Sequence, residues 1–199
     1  MKKIILIAVA LLISLNSFAQ FGIIAGLTSS ATSLKGATQE LKGKMIAQYH
    51  VGITGKFALG NVFAIQPSLI YNVKGSKLED FDLKTINYKT GYIELPVQLQ
   101  VGVSLAGIAR LYGIAEPFVG YAVYNKIEGT DFKDKWDNIS NKFEYGVGLG
   151  AGVELFKHVQ VSVRYFWNLG NVYDFSWQSI TNAPKGKCNG ISASAAFLF

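Results

Sequence analysis

The sequence predicts an all-β fold, an eight-stranded antiparallel up-and-down transmembrane β-barrel behind a cleaved N-terminal signal peptide. Three observations predict it. Strand-length stretches place apolar residues on every second position with small or polar residues between them, and a period of two belongs to strands. Beyond the N-terminus no apolar run approaches the roughly 20 residues that a spanning helix needs. Long polar connections alternate with tight ones, as extracellular loops and periplasmic turns do in outer-membrane barrels.

The first element is the export signal. Lys2 and Lys3 precede an apolar run from Ile4 to Leu15, and Ser17-Phe18-Ala19 offers small residues at the −3 and −1 positions before Gln20. This pattern is that of a secretory signal peptide, so residues 1–19 are read as the signal and 20–199 as one barrel domain. The residue directly after the cut is Gln20 and not a cysteine, and Cys188 is the only cysteine in the chain, so no intrachain disulfide supports the fold. Half of the residues are hydrophobic and 16% are charged. Removing Lys2 and Lys3 from the formal +6 leaves a mature charge of +4, since residues 1–19 hold no acid. Backbone groups left unpaired in lipid are costly, so a chain of this composition must cross a membrane as a closed sheet.

Eight strands are predicted, approximately Phe21 to Ser29, Gln48 to Ala58, Val62 to Lys74, Thr90 to Ser104, Ala109 to Lys126, Lys142 to Phe156, Val159 to Leu169 and Cys188 to Phe199. The connections 30–47, 75–89, 127–141 and 170–187 are long; 59–61, 105–108 and 157–158 are tight. Both mature termini therefore belong on the periplasmic side. Gly60-Asn61 suggests a two-residue hairpin, but that register would turn Ala64, Gln66 and Ser68 toward lipid. A three-residue loop keeps Phe63, Ile65, Leu69, Tyr71 and Val73 outward beside Val51, Ile53 and Phe57, because a slip of one residue flips a whole strand. Pro67 then faces outward within a strand, where its missing donor predicts a local bulge. Tyr71, Tyr121, Tyr145, Tyr165 and Trp167 fall outward near the long loops, and Phe57, Phe63, Phe197 and Phe199 near the short turns, an aromatic girdle at each interface.

The opposite parity points inward. An eight-stranded barrel has an interior just wide enough for side chains to fill, so the charges there must pair. Lys56, Glu94, Arg110, Glu116, Glu154 and Arg164 are expected to form a polar network that plugs the lumen. With the turn near Lys157 as anchor, Gly150 should lie opposite Arg164 and Gly148 opposite Phe166, small residues against large ones.

The run Gly91-Tyr92-Ile93-Glu94-Leu95-Pro96-Val97-Gln98-Leu99 resembles the Tyr-x-Glu-hydrophobic-Pro signature of the PorT-like outer-membrane β-barrel family of Bacteroidetes. Pro117-Phe118-Val119-Gly120-Tyr121, Tyr145-Gly146-Val147-Gly148-Leu149-Gly150-Ala151-Gly152 and the aromatic C-terminus are similar to it as well. The resemblance implies an eight-stranded barrel of OmpX-like or OmpA-like topology, assembled by the barrel-assembly machinery through the last strand ending at Phe199. It implies little about chemistry, since founding members are linked to secretion and gliding while most have no assigned activity.

Function is read from what remains. Gly146-x-Gly148-x-x-Ala151 fits a loose dinucleotide pattern, yet no helix follows, as that motif requires. No basic run interleaved with aromatics points to nucleic acid. His50 and His158 fall near opposite ends of their hairpins, so no shared metal is expected and each is read as a solvated or interface histidine. His50 near the outer rim is the one candidate base for a lipid-modifying or proteolytic enzyme, but nothing in the spacing places a nucleophile beside it. The expectation is no enzyme, no cofactor and no metal. Phe81, Phe132, Trp136, Tyr173 and Trp177 stud the charged loops as candidate contacts for an extracellular protein or glycan. The sequence thus predicts a monomer in the cell outer membrane, among lipid and lipopolysaccharide, with an envelope-structural or surface-interaction role. A narrow pore or a secretion-associated component is the alternative.

Overall fold

The computed structural model describes residues 19–35, 40–42, 44–79, 85–105, 107–128, 142–170, 173–174 and 185–199. These form ten strands: β1 (Ala19–Lys35), β2 (Glu40–Lys42), β3 (Lys44–Leu59), β4 (Phe63–Glu79), β5 (Thr85–Leu105), β6 (Ala109–Glu128), β7 (Phe143–Leu155), β8 (Val159–Asn168), β9 (Tyr173–Asp174) and β10 (Lys185–Leu198). Each long strand pairs antiparallel with its neighbour in the chain, and β1 pairs with β10, closing an eight-stranded barrel. The short β2 and β9 extend β1 and β10 at the loop end. The strands run further into the predicted loops than the sequence pattern suggests, because a closed ladder supplies every strand with two partners beyond the apolar band. Of the predicted signal 1–19 all but Ala19, and the loop residues Phe81, Phe132, Trp136 and Trp177, lie outside the described residues. Of the predicted loop contacts, only Tyr173 has a described backbone, opposite Gly186 in the β9–β10 pair.

One rule sets which side chains face out. The three short turns join Leu59 to Phe63, Leu105 to Ala109 and Leu155 to Val159 as directly paired residues, so each encloses three residues. Paired residues share a face, so an odd loop carries odd numbering on one face from strand to strand. Closure keeps it, with Ile23 opposite both Ile53 and Phe197. Ile23, Ile53, Leu69, Val101, Leu149 and Val163 are accordingly exposed to the surroundings, while Gln66, Gln98, Gln100, Glu154 and Arg164 are buried inside. The first turn occupies Gly60–Val62, one residue later than the sequence suggests, with Gly60 at φ +74°.

No bulge forms at Pro67. The β3–β4 pairs run in one register from His50–Asn72 to Leu59–Phe63, and Pro67 still sits opposite Val97 in β5; facing outward in mid-strand, it leaves a gap in the ladder without shifting it. The irregularities lie at the loop end, between Met45 and His50 on the β3 side and between Gly91 and Tyr92 on the β6 side. Between them the alternation stops: residues 72–75 and 90–92 are buried on both faces. Val73, expected against lipid, is buried there. The Ser30 hydroxyl donates to the Gly75 carbonyl at 2.9 Å and accepts from the Gly75 amide at 3.0 Å. That bond joins β1 to β4 past the intervening β3, so the upper β4–β5 hairpin leans over the lumen, with a register shift on either side to accommodate it.

The aromatics sort by end. Tyr49, Tyr121, Tyr145, Tyr165 and Trp167 are exposed toward the loops; Phe21, Phe63, Phe156, Phe197 and Phe199 toward the turns. Tyr165 packs edge-on to Trp167 at 4.7 Å and Phe197 to Phe199 at 5.6 Å. Both ends of the barrel chain meet at the turn side, where the Phe199 amide donates to the Phe21 carbonyl at 2.7 Å.

Candidate functional site

The interior holds the molecule's chemistry, built in three tiers from residues of even number. At the turn end Lys56 donates to both oxygens of Glu154, at 2.7 and 2.6 Å, and Gln160 donates to the same carboxylate at 2.8 Å. Arg110 donates through Nη1 to Gln100 Oε1 at 2.9 Å and through Nη2 to the Val62 carbonyl at 3.1 Å. The Gln100 amide in turn donates to Gln66 at 2.8 Å and Gln98 at 3.0 Å.

In the middle tier Arg164 pairs with Glu116 and donates through Nη2 to Ser194 at 2.7 Å. Ser194 also meets His50 Nε2 at 2.8 Å, and the other ring nitrogen of His50 meets the Thr28 hydroxyl at 3.0 Å. His50 is 1% exposed, which corrects the expectation of a solvated rim histidine. A serine and a histidine do stand within hydrogen-bond reach, but that serine is shared with Arg164 and sealed within the wall. His158 is exposed at the turn end, stacked on Phe197 and bonded to the Leu198 carbonyl at 2.8 Å.

The upper tier centres on Lys74, whose ammonium lies 2.7 Å from Glu94 and 2.6 Å from Glu144. Asn72 donates to Glu94 at 3.0 Å and Asn168 to Glu144 at 2.7 Å. The rings of Phe118, Phe166 and Tyr92 surround the ammonium at 4.6, 4.9 and 5.4 Å, near enough for cation–π attraction. Lys74 and Glu144 are the charged network members absent from the predicted set. Their even numbers were the available signal, obscured because both stand at the predicted strand ends.

The six predicted lumen residues therefore face inward but do not form one cluster. Lys56 meets Glu154, Arg164 meets Glu116, Glu94 meets Lys74, and Arg110 meets amide and carbonyl oxygens. Among the described residues, the buried charges are four cations (Lys56, Lys74, Arg110, Arg164) facing four carboxylates (Glu94, Glu116, Glu144, Glu154). Burying an unpaired ion is costly, so the neutral total is what permits so polar an interior. Inner-face glycines make room for it: Gly150 lies opposite Arg164 and Gly148 opposite Phe166, as the turn anchor predicts. A Cβ at Gly150 would come within 2.7 Å of the Arg164 side chain, and one at Gly26 within 2.7 Å of the His50 ring. The middle and upper tiers leave a cavity of about 20 Å³, room for a single water. At the turn end a cavity of about 510 Å³ opens among Lys56, Arg110, Glu154, Lys157, Gln20 and Ser104. Among the described residues no group of His, Cys, Asp and Glu is arranged to hold a metal.

Residues 14–174 match a family described as outer membrane protein beta-barrel domain. No curated protein matches the chain. Among solved structures the chain is similar to Ail, the attachment invasion locus protein of Yersinia pestis, at 13% identity and a TM-score of 0.47, over 92% of this chain and 99% of that one. It is similar to Neisserial surface protein A at 14% identity and 0.46, over 90% and 97%, and to OprG from Pseudomonas aeruginosa at 14% and 0.46, over 92% and 94%.

Proposed function

The chain belongs to the outer membrane protein beta-barrel domain family and resides in the outer membrane, and from that premise we propose that it is a sealed, non-enzymatic scaffold with an envelope-structural or surface-interaction role. The carrying observation is the lumen. Among the described residues four buried cations and four buried carboxylates fill it, and the cavity between its middle and upper tiers has room for a single water. A solute crossing the barrel would have to break the Arg164–Glu116 pair and the Lys74 cluster together, leaving buried charges uncompensated. The loops above this rigid cylinder are then the surface left for recognition, with Phe81, Phe132, Trp136, Tyr173 and Trp177 as the contact candidates. The non-enzymatic reading is supported by His50, the base the sequence offers near the outer rim, which is enclosed by Thr28 and Ser194. Within the family, the Tyr92 to Leu99 signature supports placement in the PorT-like group of Bacteroidetes, and residues 1–19 are proposed as the cleaved export signal.

Single-channel recording of the purified barrel in planar lipid bilayers tests the sealed lumen. The expected record is flat; sustained discrete conductance would establish the narrow-pore alternative instead. Replacing the four loops by short neutral linkers then tests the surface role, with loss of cell-surface adhesion expected and unchanged adhesion leaving only the structural one.

A further inference from the structure

The turn-end cavity has an electrostatic character the rest of the lumen lacks. Its one buried carboxylate, Glu154, is saturated: Lys56 takes both oxygens and Gln160 adds a third bond. Arg110 stands beside it with only neutral acceptors, Gln100 and the Val62 carbonyl. Among the described residues no carboxylate lies within ion-pair distance of its guanidinium. The compensating negative charge is at the other end, where Glu94 and Glu144 share Lys74. The lumen is thus neutral in sum but polarised, with a positive surplus facing the cavity. Lys157 adds a further cation at the rim, exposed on the left-handed turn between β7 and β8.

We propose that this vestibule is a binding site for a small oxyanion, a carboxylate- or phosphate-bearing solute entering from the side of the short turns. Its volume of about 510 Å³ falls in the range of small-molecule sites. Arg110 is 8% exposed, and its guanidinium lies over the Tyr112 ring at 5.2 Å. Its planar fork suits bidentate contact with a carboxylate or phosphate, and Lys157 supplies a mobile second charge.

The test is amide NMR of the full mature barrel in detergent micelles, titrated with inorganic phosphate, with succinate, and with succinamide as the uncharged control. Saturable shifts at Gly60, Gly107 and Lys157 are expected from one or both anions and none from succinamide; which anion acts assigns the class. Arg110→Gln should weaken binding by about tenfold or more, the scale of one lost charge-assisted contact. Lys157→Asn, which tolerates a left-handed turn, should weaken it about threefold without disturbing the interior, and decides the matter should Arg110→Gln fail to fold. Equal shifts from succinamide, no saturation with either anion, or unchanged affinity in the folded variants would overturn the proposal.

Discussion

The two halves of the barrel solve the same packing problem differently. Toward the turns, three connections of equal length keep one parity from strand to partner strand, the glutamine cluster spreads polarity over neutral groups, and Arg110 faces an open vestibule. Toward the loops the β4–β5 hairpin leans inward, alternation fails over residues 72–75 and 90–92, and two carboxylates converge on one ammonium inside a ring of aromatics. The difference teaches that sealing and opening are set by where charge is concentrated. A lone lysine bridging two acids locks the upper half, while neutral amides around an arginine leave the lower half accessible.

That comparison can be broken at its strongest point first. Lys74→Met leaves Glu94 and Glu144 facing each other without a cation, and removing one partner from a buried ion group costs about 3–5 kcal/mol. Urea unfolding in phospholipid vesicles, followed by gel mobility, should show a correspondingly lower midpoint or loss of the folded band. A midpoint like that of the parent would mean the upper lock is not formed.

Gly150→Ala probes the packing beneath the lock. The added methyl would press first on the Val163 carbonyl oxygen and then on the Arg164 side chain, and overpacking of a filled interior costs about 1–3 kcal/mol. Gly113→Ala is the control: the nearest atom to its Cβ, the Val101 carbonyl oxygen, lies 3.8 Å away on the outer face, so its effect should stay within about 0.5 kcal/mol. Equal costs at the two glycines would contradict the assignment of inner and outer faces.

A smaller effect than at Lys74, and the sharpest contrast with it, is expected at Arg110. Arg110→Met strands an amide oxygen of Gln100 rather than a carboxylate, a loss of about 1–3 kcal/mol at most, reduced by water entering from the vestibule. The same vesicle assay decides it. A cost matching that of Lys74→Met would show that the lower half is locked as tightly as the upper.

Much of this was legible in the sequence because alternation fixes the two faces within each strand; of the short turns only the first was expected with three residues, whereas 105–108 and 157–158, expected with four and two, form with three as well. Leu59, Leu105 and Leu155 each pair with the residue four positions on, so one parity rule propagates through six strands, and Gly150 opposite Arg164 follows from the last turn alone. Closure was less legible. Thr28 reaches His50 from the neighbouring strand, but His50 finds Ser194 only because the last strand joins the first, and no local spacing brings residues 50 and 194 together. Lys74 and Glu144 carried the correct parity but stood at expected strand ends, where polar residues are ordinary. Pro67 misled in the other direction: the missing donor implied a bulge, yet the ladder passes it in register, and the real shifts lie where β4 and β5 turn over the lumen.

The central claim is that odd-numbered side chains meet lipid and even-numbered ones fill the lumen. Photolabelling of the unmutated barrel in vesicles with a lipid bearing a diazirine in its acyl chain, read residue by residue by mass spectrometry along β10, tests it most directly. Carbene adducts are predicted at Ile191, Ala193, Ala195 and Phe197 and not at Ser192, Ser194 and Ala196; adducts on the serines, or uniform labelling along the strand, would contradict it.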